Sequence, residues 1–186
     1  KILSEAIDEL KENEFKELYK SDTSKPKEFI KDVQIDTDFE LLFPDNYINS
    51  ITERLNLYNE LSSTKSSVEL LDFEKRLIDR FGELPVQALD LLDSVRLKWL
   101  AKEMGLEKVV LKQKRMIGYF ISDQQSEFYQ TEAFTKVLKY VQHNPTTSVM
   151  KEKQTKAGLR LLITFIKIDS VELALKRLKK VLGRFN

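Results

Sequence analysis

The chain has 186 residues, enough to bury a hydrophobic core as one large domain or two small ones. Its 31 basic and 30 acidic residues nearly cancel, so no global electric field attracts nucleic acid or an anionic membrane. The absence of cysteine excludes disulfides and thiolate chemistry and fits a reducing cytoplasm, and no apolar run approaches the roughly 18 residues of a membrane span.

The N-terminal residues already follow a helical period. Apolar residues recur from Ile2 to Leu18 with no N-cap residue before them, which predicts a helix to about Tyr19 that was cut from inside a longer one. Residues 21–26 then have the composition of a flexible connection. Beyond it, residues 33–41 alternate apolar and polar side chains, the period of a half-buried strand.

Three amphipathic helices are predicted next. The first carries an apolar stripe at Ile48, Ile51, Leu55, Tyr58 and Leu61. The second carries Leu70, Phe73, Leu77 and Phe81. The third carries Leu89, Leu92, Val95, Trp99 and Leu100. We expect Phe81 and Trp99 to be core residues.

Local signals mark where these helices begin and end. Ser66 and Glu69 form a capping box before the second helix. Gly82 suits its end, because glycine adopts a left-handed conformation without a steric penalty, and Pro85 suits the first turn of the third helix. Gly105 is placed to end the third helix.

The second half of the chain changes period. Short strands are predicted at residues 109–111 and 116–121 on either side of a basic turn, followed by a helix over 134–141 and a strand over 158–168. Asp169 with Glu172 is predicted to cap a last helix. This irregular succession predicts an α+β fold, with a helix-rich first part followed by a small mixed sheet with packed helices.

No catalytic, cofactor or metal site is predicted. The five glycines stand alone, so no phosphate-binding loop is present in the sequence. His143 is the only histidine and reads as a turn residue beside Asn144 and Pro145, which leaves an all-carboxylate metal site as the open possibility.

Three basic clusters keep open an alternative function, a nucleic-acid-binding module that contacts DNA phosphates. Two are predicted to lie in turns and one on the last helix: Lys112, Lys114 and Arg115; Lys151, Lys153 and Lys156; and Lys176, Arg177, Lys179, Lys180 and Arg184. Cations near the end of a helix also have an ordinary role in stabilising its dipole.

The charged pair Asp79 and Arg80 lies off the apolar stripe, and no local pattern requires it. The run over residues 76–85, R-L-I-D-R-F-G-E-L-P, resembles the L-x-D-R-F-G-x-L-P signature in the C-terminal domain of bacterial transcription-repair coupling factors, the Mfd family. Residues 42–48 resemble that family's P-x-x-Y-I motif, and residues 54–58 resemble its R-L-x-x-Y motif.

The resemblance implies a regulatory domain of a cytoplasmic protein of nucleotide excision repair. That family is an ATP- and magnesium-dependent double-stranded DNA translocase that displaces stalled RNA polymerase at DNA damage and recruits UvrA. Its C-terminal domain docks on the UvrB-like N-terminal module, masks the UvrA-binding surface and restrains the motor.

Transferred to this sequence, the family's docking residues are Asp79 and Arg80, together with Arg76, which stands where a glutamate is common in the family. The resemblance also implies a division of the chain. Residues 1–24 would be the tail of a helix that follows the motor, with its linker, and residues 25–186 would be the regulatory domain.

We predict that the isolated chain neither hydrolyses ATP nor moves along DNA, because its sequence lacks a phosphate-binding loop. A phosphate-release assay with and without duplex DNA measures this. Turnover above background that persists through repurification would contradict the prediction.

Overall fold

The computed structural model describes residues 27–184, which form five α-helices and one five-stranded sheet. The strands are β1 (Gln34–Thr37), β2 (Leu106–Lys112), β3 (Arg115–Phe120), β4 (Ser148–Thr155) and β5 (Gly158–Ile166). The helices are α1 (Ile51–Ser63), α2 (Ser67–Phe81), α3 (Val86–Glu103), α4 (Glu132–His143) and α5 (Val171–Val181). The helix predicted over the first nineteen residues, and the linker after it, lie outside the described residues.

The sheet has the strand order β1-β2-β3-β5-β4. β1 and β2 are parallel, whereas the other neighbouring strands are antiparallel. Parallel neighbours need a long crossover connection, and here α1, α2 and α3 form it. The predicted α+β fold is therefore confirmed, and β1 belongs to the same sheet as the strands of the second half.

Two hydrophobic cores hold the structure together. The sheet core combines one face of the sheet with α3, α4 and α5, and its largest members include Met104, Leu111, Phe120, Phe128 and Phe165. The hairpin core lies among α1, α2 and α3 and includes Phe43, Leu61, Leu70, Phe73 and Leu92. Helix α3 contributes buried side chains to both cores, so it joins the helical hairpin formed by α1 and α2 to the sheet.

The apolar stripe predicted for the first of these helices is partly wrong. Ile51 and Leu55 are 67% and 57% exposed, although both lie in α1 as expected. The helix has apolar residues on two sides, and the side that packs against the hairpin core carries Leu57 and Leu61, with Tyr58 at its edge.

The expectation that Phe81 and Trp99 are core residues is confirmed only in part. Both side chains are half-buried and pack against the margin of the hairpin core. The fully buried members of those two stripes are Leu70, Phe73 and Leu77 in α2 and Leu92 in α3. Truncating Phe81 or Trp99 should therefore cost less than the 3–5 kcal/mol typical of a buried large aromatic residue.

The hairpin of β2 and β3 confirms the predicted strands and basic turn. Gln113 and Lys114 have φ angles of +53° and +58°, as the two central residues of a type I′ hairpin turn require. The sequence did not predict β4, because an edge strand with few buried side chains shows no clear apolar alternation. Lys151 and Lys153 were expected in a turn and lie on this strand.

Two predicted boundaries shift by a short distance. The last helix is capped by Ser170, whose hydroxyl accepts a hydrogen bond from the Leu173 N–H at 3.0 Å, and not by Asp169. His143 is the final residue of α4 rather than a turn residue, and its Nδ1 lies 2.7 Å from the Lys139 carbonyl oxygen.

We predict that Gly105→Ala is more destabilising than Gly183→Ala. The two glycines have nearly equal φ angles, +73° and +72°, so placing alanine in this left-handed conformation costs about 1–2 kcal/mol at either position. A Cβ at residue 105 would lie 2.3 Å from the Phe128 ring, whereas a Cβ at residue 183 would meet no atom within 4 Å. Denaturant melts should show an additional loss of about 1–3 kcal/mol for Gly105→Ala.

Equal losses for the two variants would show that the Phe128 ring moves away without cost. That result would contradict the tight packing of the sheet core at this position.

Candidate functional site

The three predicted docking residues, Arg76, Asp79 and Arg80, lie in the C-terminal half of α2. The helix is capped by Ser66, whose hydroxyl accepts a hydrogen bond from the Glu69 N–H at 3.2 Å, and the Glu69 carboxylate accepts one from the Lys65 N–H at 2.9 Å. The residue that follows the helix is Gly82, with φ +86° and ψ −167°. This conformation is positive in φ but extended rather than left-handed helical, and it is almost restricted to glycine.

One side of α2 faces solvent, and we call it the α2 face. It combines apolar and charged side chains that are all exposed: Val68, Leu71, Asp72, Lys75, Arg76, Ile78, Asp79 and Arg80. Val68, Leu71 and Ile78 are 68%, 47% and 44% exposed. A patch that mixes exposed apolar side chains with charges of both signs is suited to contact another protein surface.

The two arginines of the α2 face are bound to the neighbouring helix. Arg76 forms an ion pair with Glu60, and Arg80 forms one with Glu53, so both contacts join α2 to α1. Exposed pairs of this kind contribute at most about 1 kcal/mol each. The guanidinium of Arg80 also lies over the Phe81 ring, 4.8 Å from its centroid.

Sequence reasoning missed Glu53 and Glu60, because 27 and 16 residues separate them from Arg80 and Arg76. A signal was available. The two glutamates are seven residues apart and therefore lie on one side of α1, and the two arginines are four apart on one side of α2. Such pairs indicate that an acidic side of α1 faces a basic side of α2.

Asp79 differs from its neighbours. It is exposed near the end of α2, and within residues 27–184 its carboxylate forms no hydrogen bond or ion pair. The structure thus places all three predicted site residues on one helix face, but only Arg76 and Arg80 have a partner inside the described chain.

Other residues of the sequence motifs hold α1 and α2 in place. The Tyr47 hydroxyl donates to the Gly82 carbonyl oxygen at 2.8 Å, which ties the start of the hairpin to the end of α2. The Tyr58 ring stacks on Phe43, and the Tyr58 hydroxyl accepts from the Phe43 N–H at 2.8 Å. These contacts position α2, and they explain why several residues of the sequence motifs have a structural role.

A second surface feature is a groove of about 740 Å³ between the segment after β1, the start of α3, and α5. Five carboxylates and two lysines line it: Asp38, Glu40, Asp90, Asp93, Glu172, Lys176 and Lys179. Burial raises the pKa of Asp90, and the nearby negative charges of Asp93 and Glu172 raise it further. Burial also raises the pKa of Asp93, although its ion pair with Arg96 at 2.8 Å opposes that change.

Two further properties concern the described residues only. Over residues 27–184, no group of three or more histidine, aspartate or glutamate side chains is arranged to hold a metal ion. In the same part of the chain, no helix is both long and apolar enough to span a lipid bilayer.

The basic clusters lie on different surfaces. Lys112 forms an ion pair with Asp36 across β2 and β1 at 2.8 Å, and Lys176 forms one with Glu172 within α5 at 2.9 Å. Arg184 forms one with Glu103 at 2.8 Å. Several cations of the three basic clusters are therefore paired with carboxylates inside the described chain.

The fold and the α2 face define an α+β domain with a three-helix crossover between two parallel strands. The family model of the TRCF domain matches residues 37–131, just over half of the chain. The chain therefore belongs to the TRCF domain family, as the sequence motifs predicted.

Named relatives agree with this assignment. The transcription-repair-coupling factor of Escherichia coli (strain K12) is 41% identical over 68 residues, which cover 37% of this chain and 6% of that protein. The factor of Staphylococcus aureus (strain USA300) is 26% identical over 174 residues, which cover 89% of this chain and 14% of that protein. The chain thus spans a small part of the length of these relatives.

A solved structure has the same fold. The crystal structure of the C-terminal domain of transcription-repair coupling factor superposes with a TM-score of 0.58 at 18% sequence identity. The match covers 82% of this chain and 96% of that one.

We predict that Asp90→Asn stabilises the protein at pH 7 by a few tenths of a kcal/mol. The pKa of Asp90 is raised in the folded state, so its ionised form is less favourable there than in the unfolded chain. This penalty is present well above the raised pKa and disappears below the ordinary value of 3.8. Urea melts at pH 7 and pH 3 should therefore show a gain only at the higher pH.

The exposed Asp72→Asn is the matched control and should change stability little at either pH. A loss of stability for Asp90→Asn at pH 7 would mean that its carboxylate is favourably solvated or paired in the groove.

Proposed function

We propose that this chain is the regulatory, autoinhibitory domain of a transcription-repair coupling factor. In this proposal the α2 face docks on the UvrB-like N-terminal module of the same polypeptide and covers the surface that binds UvrA. The docked domain also restrains the motor, which uses ATP and magnesium to move on double-stranded DNA and displace stalled RNA polymerase in the cytoplasm. Membership of the TRCF domain family supports the assignment.

The observation that carries the proposal is the exposed carboxylate of Asp79, which has no partner among residues 27–184. It lies one residue from Arg80 and one turn from Arg76, and both arginines keep more than half of their side-chain surface exposed despite their ion pairs. Exposed Ile78, next to Asp79 in the sequence, adds apolar surface at the edge of the α2 face away from the two arginines. A complementary partner can therefore pair with Asp79, share the two arginines and bury the apolar margin at once.

Arg76 makes the acidic part of this face unusual. The carboxylate that the family commonly places at this position is absent, but Glu60 of α1 lies against the Arg76 guanidinium. A negative charge is thus present near the same place, supplied by the neighbouring helix. We propose that the partner contacts this α1–α2 ion pair rather than a glutamate on α2.

The energies of these contacts suit a reversible switch. Exposed ion pairs contribute at most about 1 kcal/mol each, so rearranging the two arginine pairs on docking costs little. A competing contact that favours the undocked state by about 3 kcal/mol would then change the ratio of undocked to docked molecules by roughly a hundredfold. Engagement of RNA polymerase by the parent protein is the event proposed to supply that contact.

The test is the double variant Asp79→Ala/Arg80→Ala in the full-length factor. Basal ATPase activity and DNA binding should rise, and UvrA should bind without polymerase, because the domain spends more time undocked. In the isolated chain the free energy of unfolding of the same variant should lie within about 2 kcal/mol of the wild type, because the variant loses one exposed ion pair and the contact of Arg80 with the Phe81 ring.

Glu132→Ala/Lys136→Ala is the matched control. It also removes one exposed acid and one exposed base, but from α4. It should leave ATPase activity and UvrA binding unchanged. If Asp79→Ala/Arg80→Ala stays as repressed as the wild type while folded, the α2 face is not the docking surface.

A further inference from the structure

The sheet has one face that belongs to neither hydrophobic core. Strand residues that point toward α3, α4 and α5, such as Val109, Met116 and Ile163, are buried in the sheet core. The alternate residues of the same strands point to the other side, which we call the open sheet face. Of the apolar residues on it, Val149 and Ile166 are 41% and 36% exposed, whereas Leu162 is buried at 8%. None of these three residues is part of the sheet core or the hairpin core.

The strand register fixes how these side chains are arranged. One row crosses four strands as Lys108, Tyr119, Leu162 and Lys151. The next row, two residues further along the strands, is Val110, Ile117, Thr164 and Val149. A third row is Lys112, Arg115 and Ile166. The middle row is therefore an apolar band interrupted by Thr164, and it lies between two rows that carry cations. On β1 the same row ends at Asp36, opposite Val110.

The charge of the open sheet face is strongly one-sided. Its two carboxylates are already neutralised, Asp36 by Lys112 and Glu107 by Arg160, each at 2.8 Å. The remaining cations of the three rows, Lys108, Arg115 and Lys151, have no ion pair within residues 27–184. The same holds for Lys153, which lies on this face opposite Arg160. The face therefore presents four uncompensated positive charges around an apolar centre.

The size of the band indicates what it can hold. Adjacent strands lie about 4.8 Å apart, so the apolar row spans about 14 Å from β2 to β4. The cationic rows lie about 7 Å to either side of it, because two residues along a strand cover that distance. An α-helix with its side chains is about 10 Å wide, so its apolar side fits this band while acids on its flanks reach both cationic rows.

Other occupants fit less well. A second copy of this face would bring like charges together, which opposes self-association. Nucleic acid would satisfy the cations, but stacking with bases needs an open aromatic face. The Tyr119 ring already has the Lys108 amine and the Arg160 guanidinium over it, each 5.6 Å from its centroid. The apolar row beside it would gain nothing from a phosphate backbone.

We propose that the open sheet face is a docking site for an acidic amphipathic helix of a protein partner. The site is separate from the α2 face and does not depend on the function proposed for it. Apolar side chains of the partner cover Val110, Ile117 and Val149, and its carboxylates pair with the cations of the two flanking rows.

A designed peptide tests this proposal with the complete 186-residue chain. The probe is a fluorescent 18-residue helix with leucines on one side and glutamates on both flanks, and a scrambled peptide of the same composition is its reference. Anisotropy titrations should show saturable binding of the probe, at least tenfold tighter than the reference. Parallel titrations use single-stranded and duplex DNA of about 20 nucleotides per strand.

Variants separate the charges from the apolar band. Lys108→Glu/Lys151→Glu should weaken probe binding at least tenfold, whereas Lys136→Glu/Lys139→Glu, the same charge change on α4, should have little effect. Ile117→Gln should also weaken probe binding severalfold. Val149→Gln, on the exposed edge strand, repeats that test if Ile117→Gln melts at a lower temperature than the wild type.

Any one of three results would overturn the proposal: binding of the probe that does not saturate, binding no tighter than that of the scrambled peptide, or probe binding that neither apolar variant weakens. If DNA binds more tightly than the probe, loses affinity in Lys108→Glu/Lys151→Glu and is indifferent to Val149→Gln, the face is a phosphate-binding surface instead.

Discussion

Helix α3 is the element on which the rest of the structure depends, because it is buried on two opposite sides. Ala88 and Leu92 pack into the hairpin core, and Leu97, Leu100 and Ala101 pack into the sheet core. A helix held on both sides cannot rotate without disrupting both cores. It therefore fixes the position of α2 relative to the sheet, and through α2 the direction in which Asp79 and Arg80 point.

Two surfaces of opposite character result from this arrangement. The α2 face mixes acids, bases and apolar residues, and its arginines already have partners on α1. The open sheet face is uniformly cationic around an apolar band, with both of its acids neutralised. The first suits a reversible contact of modest strength, whereas the second suits a partner of definite charge. A domain with both could respond to two partners independently.

Local signals allowed much of the fold to be predicted from sequence. Ser66, Gly82 and the Lys112–Arg115 turn act through neighbouring residues, so their effects were visible in the sequence. The errors concern contacts between distant residues. Ile51 and Leu55 are exposed because the hairpin core selects the other side of α1, and β4 shows no apolar alternation because it is an edge strand. Glu53 and Glu60 could be assigned to the arginines only once α1 and α2 were seen to face each other.

The most direct test of the docking proposal is an NMR titration of the isotopically labelled chain with the separate UvrB-like module. Backbone amide shifts should concentrate on α2 around Lys75 and Asp79 and on the facing side of α1 around Glu53, with little change along β3 and β5. Shifts confined to the sheet, or no change when the module is in large excess, would contradict the claim that the α2 face is the docking surface.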